Sequence, residues 1–150
     1  MANLKGEFEV RLDDKNRLRL PSGLLRQLDQ EIRLGLVISR GFNTCLLLHT
    51  KDAWENLTAK LKRLNLFNMD NRDYVRFFIH GATDVELDSS SRILLPRNLL
   101  QSAQIKQDII VYAFLDQIEI WDKNLYEQMM TREPANFANY TDEIFRHKDV

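Results

Sequence analysis

The chain repeats itself: residues 6–25 read GEFEVRLDDKNRLRLPSGLL, and residues 81–100 read GATDVELDSSSRILLPRNLL. Nine of these twenty paired positions are identical at a constant offset of 75 residues. Further along, the apolar residues at 37–48 correspond to those at 109–120 at an offset of 72, so the first copy carries three extra residues between Leu28 and Leu36. Because internal repeats of this kind mark repeated structural units, we predict two copies of one β-rich unit.

Each copy begins with apolar residues that alternate with charged ones, which is typical of a half-buried strand. In the first copy, residues 13–16 (DDKN) interrupt this alternation with turn-forming side chains, and it resumes at residues 17–20. Pro21 then favours the start of a short helix. We therefore expect a hairpin and a helix in each copy, followed by two strands. The strands after the first helix are predicted at 36–39 and 46–49, and those of the second copy at 85–87, 92–95, 109–113 and 117–121.

The segment between the copies has apolar residues at helical spacing. They are Ala53, Trp54, Leu57, Leu61 and Leu64, followed by Tyr74, Phe77 and Phe78. Two connecting helices are predicted, with a break around residues 68–71. Another short helix is expected after Asp122, and Pro134 ends it; the residues beyond are either helical or loosely ordered. The predicted organisation is a first repeat at 4–50, a helical connector at 51–79, a second repeat at 81–122 and a C-terminal helix and tail at 123–150.

The composition excludes several classes of protein. Hydrophobic residues make up 44% and charged residues 29% of the 150 residues, so a folded domain is expected rather than disorder. No apolar run is long enough for a membrane helix, and the first residues do not resemble a signal peptide, so we expect a cytoplasmic protein. Cys45 is the only cysteine, which excludes an intrachain disulfide. The net charge is −1, but residues 1–76 carry +4 and residues 77–150 carry −5.

Alternation across the first predicted hairpin places basic side chains on one face. Val10, Leu12, Leu18 and Leu20 are expected to face the core, while Glu9, Arg11, Arg17 and Arg19 face away from it. Lys15 and Asn16 at the turn extend the outward face. The equivalent outward positions in the second copy are Asp84, Glu86, Arg92 and Leu94, which are acidic or neutral overall. Because arginine and lysine contacts to phosphates supply most non-specific affinity for DNA, the first copy is the predicted nucleic-acid contact.

A purely structural interpretation of the same residues stays open. Asp13 and Arg17, like Asp88 and Arg92, are four residues apart and could form an ion pair across their turn. In a mixed interpretation, each aspartate orients its arginine, and the remaining guanidinium donors contact phosphate or guanine.

The duplicated motif resembles the MraZ family of bacterial transcription regulators. The matching segments are LDDKNRLRLP at residues 12–21, LDSSSRILLP at 87–96, FNTCLLLHTKDAW at 42–54 and FLDQIEIWDKNLYE at 114–127. The resemblance spans residues 4 to about 130. It implies a mainly β, α+β fold: two tandem AbrB-like swapped-hairpin units that form a pseudo-two-fold barrel with connecting helices. It also implies a homo-oligomeric ring, association with the nucleoid, and binding of double-stranded DNA at short direct repeats. The resemblance further implies that those repeats lie in the promoter of the division and cell-wall gene cluster, which begins with the regulator's own gene.

Carried over to this sequence, the family motif falls on Asp13 and Arg17 and on Asp88 and Arg92. Serines fill the variable positions of the second copy, so the resemblance does not imply equal DNA contact by both hairpins. The residues predicted to contact DNA are Arg11, Lys15, Asn16, Arg17, Arg19 and Arg92. Arg17 is the candidate for a base edge, and the others are placed nearer phosphates. No cofactor and no metal ion are predicted.

The sequence leaves three other functions to compare with DNA binding. An enzyme is disfavoured because Cys45 and His49 read as a buried thiol and a partly exposed histidine on one strand, while His80 and His147 stand alone. A ring-forming structural protein without specific DNA binding is the main alternative; Trp54, Phe77, Phe78 and Trp121 would be interface anchors or plain core residues. An antitoxin-like use of the hairpin is disfavoured by the two internal copies.

Overall fold

A computed structural model describes residues 3–146, apart from the side chain of Asp29. The described part of the chain is a mixed α/β fold with an antiparallel sheet. The first copy contains β1 (Leu4–Arg11), β2 (Arg17–Arg19), α1 (Ser22–Leu28), a 3-10 helix (Asp29–Leu34), β3 (Leu36–Arg40) and β4 (Leu46–Thr50). The connector contains α2 (Lys51–Lys62) and α3 (Met69–Ile79). The second copy contains β5 (Thr83–Val85), β6 (Arg92–Leu94), α4 (Arg97–Ser102), β7 (Asp108–Leu115) and β8 (Gln117–Asp122), and α5 (Lys123–Met130) and α6 (Phe137–Arg146) follow.

Strands that are neighbours in the predicted hairpins do not pair along their length. β1 pairs with β7 of the other copy, and β2 pairs with β6. The turn itself is closed by hydrogen bonds from Asp13 N to Arg17 O (3.2 Å) and from Asn16 N to Asp13 O (3.1 Å). The prediction of a simple hairpin in each copy is therefore wrong beyond its turn, because both strands find their partners in the other copy.

The strand order reflects the sequence repeat. The larger sheet runs β1-β7-β8-β4-β3-β5, and β2 and β6 form a separate two-stranded sheet, here called the ribbon. The counterparts in the two copies are β1 and β5, β3 and β7, and β4 and β8. Exchanging them reverses the strand order, so the sheet maps onto itself. In the ribbon, Leu18 lies opposite Ile93, its equivalent residue, so a pseudo-two-fold axis passes between them. Within residues 3–146 the larger sheet stays open, with β1 and β5 at its edges, and no closed barrel is found.

The main core lies between one face of the larger sheet and the ribbon with its helices. Leu18 and Ile93 have no solvent-accessible surface, and Leu24 of α1 and Leu99 of α4 are equally buried. Alternation along the strands produces this face, since Ile109 and Val111 belong to this core while Ile110 belongs to a second cluster with Cys45, Trp121 and Tyr126. The ribbon is therefore anchored by one face and leaves the other face in solvent.

Other predicted elements differ from the structure by small shifts. The strand predicted at 85–87 lies at Thr83–Val85, and the three extra residues of the first copy are accommodated by the 3-10 helix. The connector breaks at residues 63–68, a few residues before the predicted position, and the side chain of Asn68 caps α3 by accepting a hydrogen bond from Asn71 N. The segment left open after Pro134 forms α6, and the end of the predicted tail, with His147, lies outside the described residues.

His49 is buried, not partly exposed as predicted. Helix α2 covers this face of the strand, and the ring of Trp54 lies 5.0 Å from the imidazole, centroid to centroid. The Nε2 atom of His49 is 2.8 Å from Ser39 Oγ. Burial disfavours the imidazolium ion and lowers the pKa of His49 to about 4.

We expect this histidine to destabilise the fold in acid. An unfolded chain protonates His49 near pH 6.5, whereas the folded chain resists protonation until about pH 4, so stability falls as the pH is lowered through this window. Urea denaturation at pH 7 and pH 4.5 should show a smaller loss of stability for His49→Gln than for the unchanged chain. His80→Gln, at an exposed position, is the control and should leave the loss unchanged. Equal losses of stability in all three proteins would show that His49 does not cause the destabilisation in acid.

Candidate nucleic-acid interface

The solvent face of the ribbon carries three arginines. Side chains alternate across a strand, so the burial of Leu18 and Ile93 directs their neighbours outward. Arg17 and Arg19 come from β2, and Arg92, which lies opposite Arg19, comes from β6. The expectation of one basic and one non-basic hairpin face therefore does not describe the structure, because strand exchange joins Arg92 to the arginines of the first copy.

Each turn is built around its aspartate. Asp13 Oδ1 accepts hydrogen bonds from the backbone amides of Lys15 and Arg17, both at 2.9 Å, and Oδ2 accepts from Arg17 Nε at 2.7 Å. Asp88 repeats the arrangement: Oδ1 accepts from the amides of Ser90 (2.8 Å) and Arg92 (2.9 Å), and Oδ2 accepts from Arg92 Nε at 2.9 Å. The spacing of four residues therefore lets one carboxylate close the turn and hold the guanidinium by its Nε atom.

The two turns are coupled through charge. Arg92 Nη1 lies 3.7 Å from Asp13 Oδ2, so Asp13 faces arginines from both copies. The pKa of Asp13 is lowered, chiefly by the hydrogen bond from the amide of Arg17, and that of Asp88 is lowered in the same way by the amide of Arg92. Both carboxylates are therefore ionised at neutral pH, and these four residues together carry no net charge. Arg19 of the ribbon and Lys15 of the first turn add two positive charges, of which Asp14 in the same turn offsets one.

Holding an arginine by Nε leaves its two Nη groups for an external acceptor. Within the described residues, neither Nη atom of Arg17 donates a hydrogen bond, and its side chain is 30% exposed. A guanidinium held in this way presents a fixed pair of N–H donors, which is the geometry that recognises phosphate or the O6 and N7 atoms of guanine. The structure thus contains the ion pair that the structural and the mixed interpretations share, and it leaves the Nη groups accessible, as the mixed interpretation requires.

The remaining predicted site residues lie at or beside the ribbon. Lys15 is exposed in the first turn, while Asn16 is half-buried and its carbonyl accepts a 2.9 Å hydrogen bond from Leu95 N. Arg11 lies apart from the others at the end of β1, where its Nη2 atom donates to Gln107 Oε1 at 2.9 Å. Six predicted residues thus fall into a ribbon group (Arg17, Arg19, Arg92), a turn group (Lys15, Asn16) and Arg11 on the adjacent sheet edge.

Asn16 and its equivalent, Ser91, both adopt a left-handed backbone conformation, with φ of 62° and 60°. Asparagine tolerates this conformation, whereas serine is strained in it. Ser91→Gly is therefore expected to stabilise the fold by about 0.5–1 kcal/mol, because glycine removes the Cβ strain. The midpoint of urea unfolding measures the change. Ser90→Gly, at the preceding position with negative φ, should give no gain; a gain there and none at position 91 would contradict this explanation.

Leu94 was not predicted as a site residue, yet it lies on the outer face of the ribbon opposite Arg17 and is 60% exposed. It occupies the position equivalent to Arg19, just as Ser90 is equivalent to Lys15. The backbone of the ribbon is therefore nearly two-fold symmetric, while its outward side chains are not. The sequence contained this signal, an apolar residue at an outward position, but its neighbours became known only from the strand pairing.

The described residues were also compared with the requirements of a cysteine nucleophile, a metal site and a membrane-spanning helix. Burial raises the pKa of the Cys45 thiol to about 12, so the nucleophilic thiolate is disfavoured at neutral pH. Between residues 3 and 146, no group of three His, Cys, Asp or Glu side chains is placed to hold a metal ion. Over the same residues, no helix has the length and apolar character needed to cross a membrane.

Comparison with known proteins identifies the family. The chain matches the family described as "MraZ protein, putative antitoxin-like" over residues 4–77 and again over 78–147. It is 36% identical over 150 residues to the transcriptional regulator MraZ of Christiangramia forsetii, covering 99% of this chain and 97% of that protein. The protein of the same name from Clostridium beijerinckii is 41% identical over 123 residues, covering 82% of this chain and 84% of that protein. The chain, with its duplicated Asp-x-x-x-Arg turn, therefore belongs to the MraZ family.

Proposed function

We propose that the chain is a sequence-specific DNA-binding regulator of transcription that contacts double-stranded DNA through the outer face of the ribbon. The observation that carries the proposal is the placement of Arg17, Arg19 and Arg92 on one solvent face of a two-stranded ribbon whose opposite face is fully buried. The major groove of B-DNA admits a two-stranded ribbon of this kind. The names of the relatives, transcriptional regulators, support the same function.

In the proposed complex, Arg17 contacts a base edge, because Asp13 fixes its Nε atom and directs the free Nη groups outward. Arg19, Lys15 and Arg92 contact phosphates, and Arg11 and Asn16 lie at the margin of the contact. Neutralising about three phosphates per subunit gives a slope of log affinity against log salt of about −3.

The asymmetry of the ribbon favours direct repeats as the target. A ribbon with equal side chains on both strands would suit a palindrome, whereas this one presents Arg19 and Lys15 on one half and Leu94 and Ser90 on the other. We infer that each subunit reads one short repeat in one orientation. The proposed target is the promoter of the division and cell-wall gene cluster, upstream of the protein's own gene, and the proposed location is the cytoplasm at the nucleoid.

The proposed function also requires several subunits to assemble. We propose that residues 4–50 and 81–122 are AbrB-like swapped-hairpin repeats related by the pseudo-two-fold axis, joined by the connector at 51–79 and followed by a C-terminal segment at 123–150. Subunits form a ring, so that several ribbons meet evenly spaced repeats and one weak contact is multiplied through effective concentration. The alternative, a ring that binds no specific DNA, shares the assembly and differs only in its response to DNA sequence.

Fluorescence anisotropy tests the proposal with a duplex from the protein's own upstream region, a scrambled duplex of equal length and composition, and a series of salt concentrations. Preference for the native duplex together with a negative salt slope is the expected result. Equal binding to both duplexes at every salt concentration would contradict specific regulation and favour the structural alternative.

Leu94→Arg makes the outer face of the ribbon more symmetric and more basic. We expect affinity for the scrambled duplex to rise and its salt slope to become steeper by about 1, because one further phosphate can be neutralised. Preference for the native duplex should fall. Leu34→Arg, which adds the same charge at a residue that is 64% exposed in the 3-10 helix, is the matched control. The same response in both variants would mean that net charge, and not the ribbon, sets the binding.

A further inference from the structure

Helix α6 has an apolar face that the other residues between 3 and 146 leave about half exposed. Phe137, Tyr140 and Ile144 follow one another at helical spacing, and they are 52%, 58% and 46% exposed. None of the residues of α6 is buried. An amphipathic helix on a folded protein normally buries its apolar stripe, and a helix with anchors at this spacing is suited to an apolar groove.

An apolar groove that could accept such a helix opens on the side of the larger sheet opposite the ribbon. It has a volume of about 650 Å³ and lies between helices α3 and α5, so we call it the α3–α5 groove. Its large apolar lining residues are Phe42, Phe77, Trp121, Leu125 and Met129. Phe42 is 54% and Phe77 is 65% exposed, although large aromatic side chains are usually well covered.

The charges of the helix and the groove are complementary. Arg40 and Arg132 line the groove, which has no carboxylate among its lining residues. The guanidinium of Arg40 lies 4.5 Å from the centroid of the Phe77 ring, so its charge is held at the groove surface. Helix α6 carries Asp142 and Glu143 beside its apolar stripe, against one cation, Arg146, which is 3.7 Å from Asp142.

We propose that α6 of one copy of this chain docks into the α3–α5 groove of a second copy. The contact joins two different surfaces, so each subunit offers a helix to one neighbour and a groove to the other, and such head-to-tail contacts close into rings or extend into filaments. The proposal rests on the assembly proposed above and names the surfaces that form it. It leaves the ribbon uncovered, because the groove and the ribbon lie on opposite sides of the sheet.

Cysteine crosslinking distinguishes the possible occupants of the groove. In a Cys45→Ala background, a chain carrying Met129→Cys on the groove wall is mixed with a chain carrying Ile144→Cys on α6, and the mixture is oxidised. A disulfide-linked heterodimer on a non-reducing gel is expected. Arg26→Cys, at an exposed position on α1, replaces the groove cysteine in the control and should give no heterodimer.

Molar mass from light scattering completes the test. Ile144→Asp should reduce the assembled mass to that of a monomer, while Arg26→Asp should not, and circular dichroism checks that both variants are folded. An assembled chain that neither crosslinks nor responds to Ile144→Asp would overturn this interface and leave the proposed ring intact. A monomeric unmodified chain would overturn the ring and the interface together. If one chain carrying both cysteines crosslinks only within itself, α6 occupies its own groove, and the proposal is wrong.

Discussion

Leu18→Ala is expected to destabilise the folded chain by about 3–5 kcal/mol, which is the upper range for removing a fully buried leucine side chain. Leu18 has no solvent-accessible surface and lies opposite Ile93 at the pseudo-two-fold axis. A cavity at this position lies beneath both strands of the ribbon, and neither strand can collapse into it without displacing its partner. Urea denaturation at neutral pH measures the change.

Leu94→Ala is the matched control, because Leu94 follows Ile93 on the same ribbon but is 60% exposed. A change within about 0.5 kcal/mol is expected there. The double variant Leu18→Ala with Ile93→Ala should lose less than the sum of the two single losses, since the two side chains share one packing site. A loss below 1 kcal/mol for Leu18→Ala would mean that the ribbon is not packed as described.

Arg17→Ala has the largest expected effect on DNA binding, a loss of about 1–3 kcal/mol for the native duplex, or roughly a five- to 150-fold weaker affinity. Sequence preference should fall with it, because Arg17 is the proposed contact to a base edge. Arg26→Ala removes the same charge from an exposed position on α1 and should change affinity by less than twofold. Anisotropy with native and scrambled duplexes measures both quantities.

The purely structural interpretation of the Asp-x-x-x-Arg motif predicts a different pattern. If Arg17 serves only as the partner of Asp13, its loss lowers stability by about 0–1 kcal/mol, as for other exposed ion pairs, and binding merely follows the folded fraction. Measuring anisotropy well below the unfolding temperature separates the two cases. Asp13→Asn adds a second comparison, because it keeps an acceptor for the turn amides but removes the charge that holds Arg17 Nε.

Much of this architecture could be predicted from the sequence because the repeat and the alternation are both strong. The burial of Leu18 and the outward placement of Arg17 follow from the period of a strand alone. Helix α3 could be placed from the helical spacing of Tyr74, Phe77 and Phe78, although its start at Met69 lies inside the predicted break. These features depend on neighbouring residues only.

Strand pairing could not be predicted in this way. Alternation identifies the face on which a side chain lies but not the strand beside it, so the contact between Arg19 and Arg92, 73 residues apart, was not foreseen. The same limit applies to His49. It was predicted to be partly exposed, but helix α2 covers it, and this contact cannot be read from the strand alone. It also applies to the site as a whole, because the sequence assigned the basic face to one copy and strand exchange combines residues from both.

Photocrosslinking shows whether DNA lies against the outer face of the ribbon. A benzophenone side chain in place of Leu94 is irradiated in the complex with the native upstream duplex, and the same group in place of Leu34 serves as the control. We expect a covalent protein–DNA product from position 94 and none from position 34. A product from position 34, with none from position 94 under conditions in which the duplex is bound, would contradict the proposed DNA contact.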